Sequence, residues 1–342
     1  MQTESSMTEG HLPHWALSVL QCPRTGDRLR VEGCRLLDEH NREAARIDNH
    51  VIRFPVSSPD DSIAFYRSIG GPHFFERSST PFAMSSLDTP IYHERLDEVL
   101  PADPESIIVD VGGGDGRHAI HCLRRGYRRV VVLDAVADAL ARFRSRVAEQ
   151  HSHWLDSLLL VEADIRSLPI RTSRAQCVLA IESLCYLNED YEVGLKQCVR
   201  LLAPLGRIII SDRDYEGGLV LQLLYHDVGA MLDAADTRSL WDGRGDSLVR
   251  SRIFAQSELV DICRASGLEV LSISGISLLP LLCGYLNGRD LLSTHDLARL
   301  PDIIRVLTAL GKVGTLRRCH VVVAGLPQGK TPKGREALDL SH

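Results

Sequence analysis

Four glycines and two acids stand close together in "IIVDVGGGDGRHAIH", residues 107–121, where Gly112, Gly113, Gly114 and Gly116 follow Asp110 and enclose Asp115. Glycine removes the side chain, so a ligand can approach the backbone, and a helix starting just beyond offers it free N–H groups. Two kinds of nucleotide loop share this spacing. A dinucleotide loop reads G-x-G-x-x-G. Counted from Gly112 its third glycine would be Arg117; counted from Gly114 it ends in the tolerated Ala119. The acids argue against it. Asp110 and Asp115 would repel a pyrophosphate, whereas a ligand with a cationic amino group would be attracted to them.

The elements that must position these residues are α/β in rhythm. Apolar runs at 107–111, 129–134, 158–164, 176–182 and 206–212 predict strands, and helical periodicity falls at about 117–126, 136–150 and 189–203. Each strand run is nearly continuous, as in a parallel sheet covered on both faces, and such a sheet binds ligands outside its carboxyl ends. Further on, 215–236 reads as helix, Ser257 as the N-cap of a short helix, and the runs from Leu268 and Arg317 as strands. Ahead of the core, two helical pieces between Ile63 and Leu100 flank a Gly-Gly-Pro break.

The glycine loop resembles motif I of the class I S-adenosylmethionine-dependent methyltransferases, acid-x-Gly-x-Gly-x-Gly, at Asp110, Gly112, Gly114 and Gly116. The resemblance continues in "VVVLDAV", "VEADIRSLP", "QCVLAIESLCYL" and "LLAPLGRIIISDRD", with Leu205 replacing the first glycine of the family's "LxPGG" turn. It implies a Rossmann-like fold with a mostly parallel seven-stranded sheet and an antiparallel last strand. It also implies S-adenosylmethionine as cofactor, leaving S-adenosylhomocysteine as product. Asp134 would take the ribose hydroxyls, Asp164 the adenine amino group, and Ile165 would wall the ring. The match is close over about 105–215 and looser to the final strand.

Transfer from a sulfonium centre needs an aligned nucleophile and, for a hydroxyl or amine, a base. Glu182 and Tyr186 after the fourth strand, and His226 in the helix after the fifth, are the catalytic candidates. Glu182 equally suits a cofactor-holding role. "ESLCYL" lacks the prolines of the "NPPY" type of nucleic-acid enzyme. The aromatic residues Tyr66, His73, Phe74, Phe75 and Tyr92 are candidates to close over the cofactor.

The first module, "LQCPRTGDRLRVEG" followed by "IDNHVIRFPV", resembles the small zinc-knuckle domain that activates tRNA methyltransferases. Its ligands are missing. Thr25 stands at the second Cys, "HNREAAR" replaces the later C-x-x-C, and Cys34 is unsuitably spaced from Cys22, so no zinc or other metal is expected. The expected organisation is a small β-rich module at 1–60, a helical linker or lid at 61–104, and a methyltransferase domain at 105–327. Cap insertions are expected near 213–253 and 278–315, and a flexible tail at 328–342.

With 342 residues, 44% hydrophobic and a net charge of -6, the chain has material for a large core and no global attraction to phosphate backbones. Nine cysteines without a C-x-x-C pair, and no apolar run of spanning length, point to a cytoplasmic protein with reduced thiols and no membrane partner. The leading expectation is methyl transfer to oxygen, nitrogen or carbon of a small molecule in specialised metabolism. The alternatives are an rRNA or tRNA methyltransferase, suggested by the first module and by Arg124, Arg125, Arg128 and Arg129, and a non-catalytic cofactor-binding subunit. The cap helices could also form a homodimer interface.

Overall fold

The computed structural model describes residues 12–56, 61–69, 84–244, 247–278 and 317–327. The tail at 328–342, most of the second cap insertion and the aromatic residues His73, Phe74 and Phe75 lie outside the described residues.

Five strands follow the expected apolar runs: β5 (Ile107–Val111), β6 (Arg129–Asp134), β7 (Leu158–Glu162), β8 (Ala175–Ile181) and β9 (Leu202–Asp214). They lie parallel in the order β7-β6-β5-β8-β9. Two later strands complete the pattern. β13 (Arg317–Gly325) runs antiparallel to β9, and β12 (Glu269–Ser277) antiparallel to β13. These strands give the mostly parallel core and the antiparallel last strand that were expected, but the sheet has 13 strands rather than seven.

Alternate residues explain the unbroken apolar runs. Val109, Val131, Val161, Val178 and Ile208 face one buried layer, shared with Tyr191, Leu195 and Cys198 of α6 (Tyr191–Leu201). Ile108, Val130, Val132, Leu160 and Ile209 face the other. There they meet Tyr92 of α3 (Met84–Asp97), Cys122 of α4 (Arg117–Arg124) and Phe143 of α5 (Ala137–Gln150). Each such buried aliphatic side chain contributes about 1.5–3 kcal/mol, so neither face tolerates a polar residue without a partner.

The first module adds to this same sheet. Its strands β1 (Arg30–Glu32), β2 (Arg35–Leu37), β3 (Glu43–Asp48) and β4 (Val51–Arg53) form an antiparallel run, and β4 then pairs parallel with β7. Trp15, Leu20, Leu36 and Ile52 enter the first core layer. The edge of β7, which the seven-stranded core would leave open to pairing, is thereby covered. Arg53 locks the seam by donating from Nε to Glu162 Oε2 at 2.6 Å.

Three details depart from the sequence reading. The segment 215–236 is two helices, α7 (Tyr215–Tyr225) and α8 (Val228–Thr237), because Asp227 Oδ1 accepts the Ala230 N–H at 2.8 Å and caps a fresh start. A hairpin of β10 (Ser239–Arg244) and β11 (Ser247–Phe254) was not anticipated within the first cap insertion. The N-cap of α9 (Gln256–Ala265) is Ala255, not Ser257, and has no side-chain bond.

Candidate functional site

The glycine loop leaves β5 at the carboxyl end of the sheet. The N–H groups of Gly112 and Gly113 both donate to Leu133 O, at 2.8 and 3.1 Å, pinning the loop to β6. Gly112, Gly114 and Gly116 hold φ of 72°, 52° and 81°, a region that penalises any side chain. The space over them differs. A Cβ at Gly112 would lie 2.4 Å from Ser183 Cβ, one at Gly113 2.6 Å from Val132 Cγ1, and one at Gly116 2.3 Å from Phe143 Cζ. These three are demanded by the protein's own packing. Gly114 alone is open, its nearest neighbour being Asp134 Oδ2 at 3.8 Å.

Three acids stand at the carboxyl ends of successive strands, and Asp134 borders the opening. Asp110 is 2% exposed, and its Oδ2 has no hydrogen-bond partner among the described residues. Burial pushes its pKa up to about 7, against the opposing pull of the Arg117 guanidinium. Asp134 accepts the Gly114 N–H at Oδ2 (2.8 Å) and the Val136 N–H at Oδ1 (2.9 Å). Burial raises it to about 6, although both N–H groups favour its charged form. Asp164 follows β7 and caps a short 3-10 turn, with Ile165, partly exposed, next to it. It is already paired: Arg166 Nε lies 2.9 Å from Oδ1 and Nη2 2.9 Å from Oδ2.

The orphaned oxygen of Asp110 and the uncovered face of Gly114 fit the expected methyl donor, whose ammonium and sulfonium are both cationic. A titration consequence follows. The folded chain holds a proton on Asp110 that the unfolded chain releases near pH 4, so this group's contribution to stability declines as pH rises from about 4 to about 7. Affinity for a cation runs the other way. Calorimetry should show cofactor binding weakening as pH drops from about 8 to about 6, and Asp110→Asn should flatten the upper part of that slope. An unchanged slope in the variant would remove Asp110 from the site.

Beyond the glycine loop, three guanidinium groups converge on Glu182, and two further carboxylates, Asp88 and Asp242, join the group through Arg318 and Arg213. Glu182 sits just past β8 with φ of 52°, a left-handed conformation that turns its side chain across the strand ends. Arg318 grips it with two bonds, Nη1 to Oε2 at 2.6 Å and Nη2 to Oε1 at 2.7 Å. Arg213 lies 3.3 Å away and Arg117 3.8 Å. Tyr92 OH donates to Oε1 at 3.0 Å and lies 2.7 Å from Ser211 Oγ. Asp88 of α3 closes the group, 2.6 Å from Arg318 Nη2. Burial alone would raise Glu182, but Arg318, Arg213 and Arg117 hold it well below the usual carboxylate range. As a proposed base it is therefore weak; its ionised oxygens are committed to structure.

Tyr186 belongs to the same network. Its hydroxyl donates to Asp242 Oδ2 at 2.8 Å, and Arg213 Nη2 donates to both, at 2.8 Å to Asp242 and 3.1 Å to Tyr186. Tyr66 packs edge-on against its ring at 5.2 Å. Burial raises the Tyr186 phenol well above its ordinary value, so it stays protonated. The structure does not bring His226 to this place. It lies exposed in the bend between α7 and α8, and no described contact joins its ring to Glu182 or Tyr186.

Asp88, Arg117, Arg213, Asp242 and Arg318 were missed in the sequence. One signal was available for Arg318: an antiparallel last strand starts where its parallel neighbours end, and Cys319 indeed pairs in register with Arg213. Cys22 lies in a turn closed by the Gly26 N–H donating to its carbonyl oxygen at 2.8 Å. Cys22 is buried, and burial would raise its thiol, but hydrogen bonds from Thr25 and Arg24 outweigh it and lower the pKa. Among the described residues no group of three or more His, Cys, Asp or Glu side chains is placed to hold a metal ion.

Residues 108–206 match the family model described as a methyltransferase domain. Aclacinomycin 10-hydroxylase RdmB of Streptomyces purpurascens is 28% identical over 204 residues, covering 58% of this chain and 50% of that protein. The chain thus spans about half the length of this curated relative. The CcbJ methyltransferase of Streptomyces caelestis superposes with a TM-score of 0.53 at 15% identity, over 76% of this chain and 96% of that one. The [4+2]-cyclase SpnF gives 0.52 at 15% identity, over 80% and 98%. At such identities the two structures establish the Rossmann-like methyltransferase fold.

Proposed function

We propose that this chain, whose residues 108–206 form an S-adenosylmethionine-dependent methyltransferase domain, methylates a small molecule on oxygen, nitrogen or carbon in specialised metabolism. The observation that carries the reading is the meeting of Asp110, open Gly114 and Asp134 at the carboxyl ends of neighbouring strands. When bound, S-adenosylmethionine supplies an electrophilic methyl group on a sulfonium. Asp110 faces the cationic amino end, Asp134 takes the ribose hydroxyls, and Asp164 with Ile165 borders the adenine. Gly112 and Gly116 keep the loop tight enough for Gly114 to lie against the ligand.

On the acceptor side, Glu182 and Tyr186 position rather than deprotonate. Glu182 fixes the Arg117, Arg213 and Arg318 side chains, and Tyr186 presents a protonated phenol whose orientation Asp242 and Arg213 set. Such a site suits an acceptor that is already nucleophilic and needs alignment. A homodimer through the cap helices is supported by Val228 and Leu232, 56% and 55% exposed on α8. None of the described helices is long and apolar enough to cross a membrane.

RNA as acceptor draws less support. Arg125 is paired with Asp97, and Arg128 and Arg129 with Glu105, near the start of β6 and so at the opposite end of the sheet from the glycine loop. A second reading has a specific observation behind it: two relatives are named for a hydroxylation and a cyclisation, so this fold also hosts reactions other than methyl transfer. One experiment separates them. Incubation with methyl-labelled S-adenosylmethionine, a small-molecule extract and bulk RNA should place label in the small-molecule fraction, with S-adenosylhomocysteine released in step. Label confined to RNA, or cofactor bound without release of S-adenosylhomocysteine, would refute the reading.

A further inference from the structure

Arg166 changes what Asp164 can do. Asp164 is 8% exposed, and it accepts the Arg166 backbone N–H and Nε at Oδ1, both 2.9 Å, and Nη2 at Oδ2, 2.9 Å, with Nε also 3.2 Å from Oδ2. The third guanidinium nitrogen, Nη1, reaches Asp190 Oδ2 at 3.2 Å, which fixes the fork from its far side. A carboxylate offers roughly four lone-pair positions, so at most one remains. Asp110 is the contrast, buried with an oxygen that has no hydrogen-bond partner among the described residues.

Recognition of a hydrogen-bonding group is stringent when its loss strands a buried polar partner; such sites reject the analogue by about 10⁴–10⁵. Asp164 would not be stranded. We propose that Arg166 is a specificity-determining residue: by satisfying Asp164 from within the chain, it makes the nucleobase end tolerant of purines that lack the 6-amino group. A ligand carrying hypoxanthine in place of adenine then loses little, because the Arg166 charge also screens its 6-oxo group from the carboxylate. This rests on the cofactor reading above and deepens it.

The test compares S-adenosylhomocysteine with S-inosylhomocysteine by calorimetry on the full chain. The dissociation constants should differ by less than about thirty-fold in the unaltered protein, and by at least about tenfold more in Arg166→Ala, where Asp164 is left bare. Arg166→Gln, which keeps one donor toward Asp164, should move the ratio the same way by a smaller factor and serves if the Ala variant does not fold. A ratio above about thirty in the unaltered protein, or one that neither substitution moves, overturns the proposal. Failure of S-adenosylhomocysteine itself to bind would instead overturn the cofactor reading.

Discussion

Glu182→Ala is expected to lower the unfolding free energy by about 3–5 kcal/mol, the cost of breaking a buried pair and leaving its cations uncompensated. The reason is the convergence on one carboxylate. Arg318 and Arg213 are 1% and 4% exposed, so water cannot replace the oxygens that would be lost. Urea unfolding should show a lower midpoint at unchanged slope. Arg318→Met should be damaging alone, yet the double variant should lose less than the sum, because the two single losses share the Glu182–Arg318 pair; Arg213, Arg117 and Asp88 keep the loss from vanishing. The acid limb gives the sign. Glu182 is held below its unfolded value, so its contribution is full above about pH 4 and is lost as pH falls through the folded value. Asp88 works in the opposite sense, because burial raises it to about 6 and its contribution to stability diminishes as pH rises from about 4 to 6. A Glu182→Ala protein within about 1 kcal/mol of the original would mean that the cluster is solvated and dispensable.

That cluster marks where the sequence stops being readable. Strand β5 coincides with its apolar run because a strand buried on both faces needs apolar residues at nearly every position, Asp110 being the exception, and the run ends where the glycines begin. Asp110, Asp134 and Asp164 were legible for a related reason. Each was picked out by the resemblance, and each stands at the carboxyl end of a parallel strand, so the topology brings them to one end of the sheet; their roles toward a ligand come from the resemblance. Arg213 and Arg318 are far apart in the chain and sit within or beside apolar runs that read as core. Only the antiparallel return of β13 makes them neighbours. Asp242 lies on β10, whose sequence "SLWDGR" does not alternate apolar and polar residues, so the strand does not announce itself.

Leu205 illustrates the reverse case. Its residue type breaks the expected glycine turn, yet the backbone keeps the glycine conformation, with φ of 64° and the side chain 73% exposed. The turn is set by the partners on either side, and the leucine is tolerated because its side chain meets only solvent. The first module behaves similarly. β4 on β7 and the Trp15 and Leu20 contacts anchor the module through the sheet, whatever residues stand in its turns.

Asp134→Ala is expected to reduce cofactor affinity by about 10²–10⁴, from the loss of two hydrogen bonds to a charged acceptor at about 1.5–3 kcal/mol each. The substitution has a second effect that must be separated. Asp134 also receives the Gly114 and Val136 N–H groups, so an alanine frees the loop as well as removing the ribose contact. Asp134→Asn resolves the two. Its amide keeps one acceptor for one of those N–H groups and turns a donor toward the other, and it can accept from only one ribose hydroxyl. Circular dichroism should then match that of the original protein and the urea midpoint should fall only by the equivalent of about 1–3 kcal/mol, the cost of one unsatisfied N–H, while calorimetry shows most of the affinity gone. Because burial raises Asp134 to about 6, affinity in the unaltered protein should also fall below that pH as the carboxylate takes up a proton. Asp134→Asn should be insensitive to pH over that interval apart from the share due to Asp110. Binding within about threefold of the original in a folded Asp134→Ala protein would leave the ribose without its acceptor, and with it the cofactor would have to sit elsewhere than over the open face of Gly114.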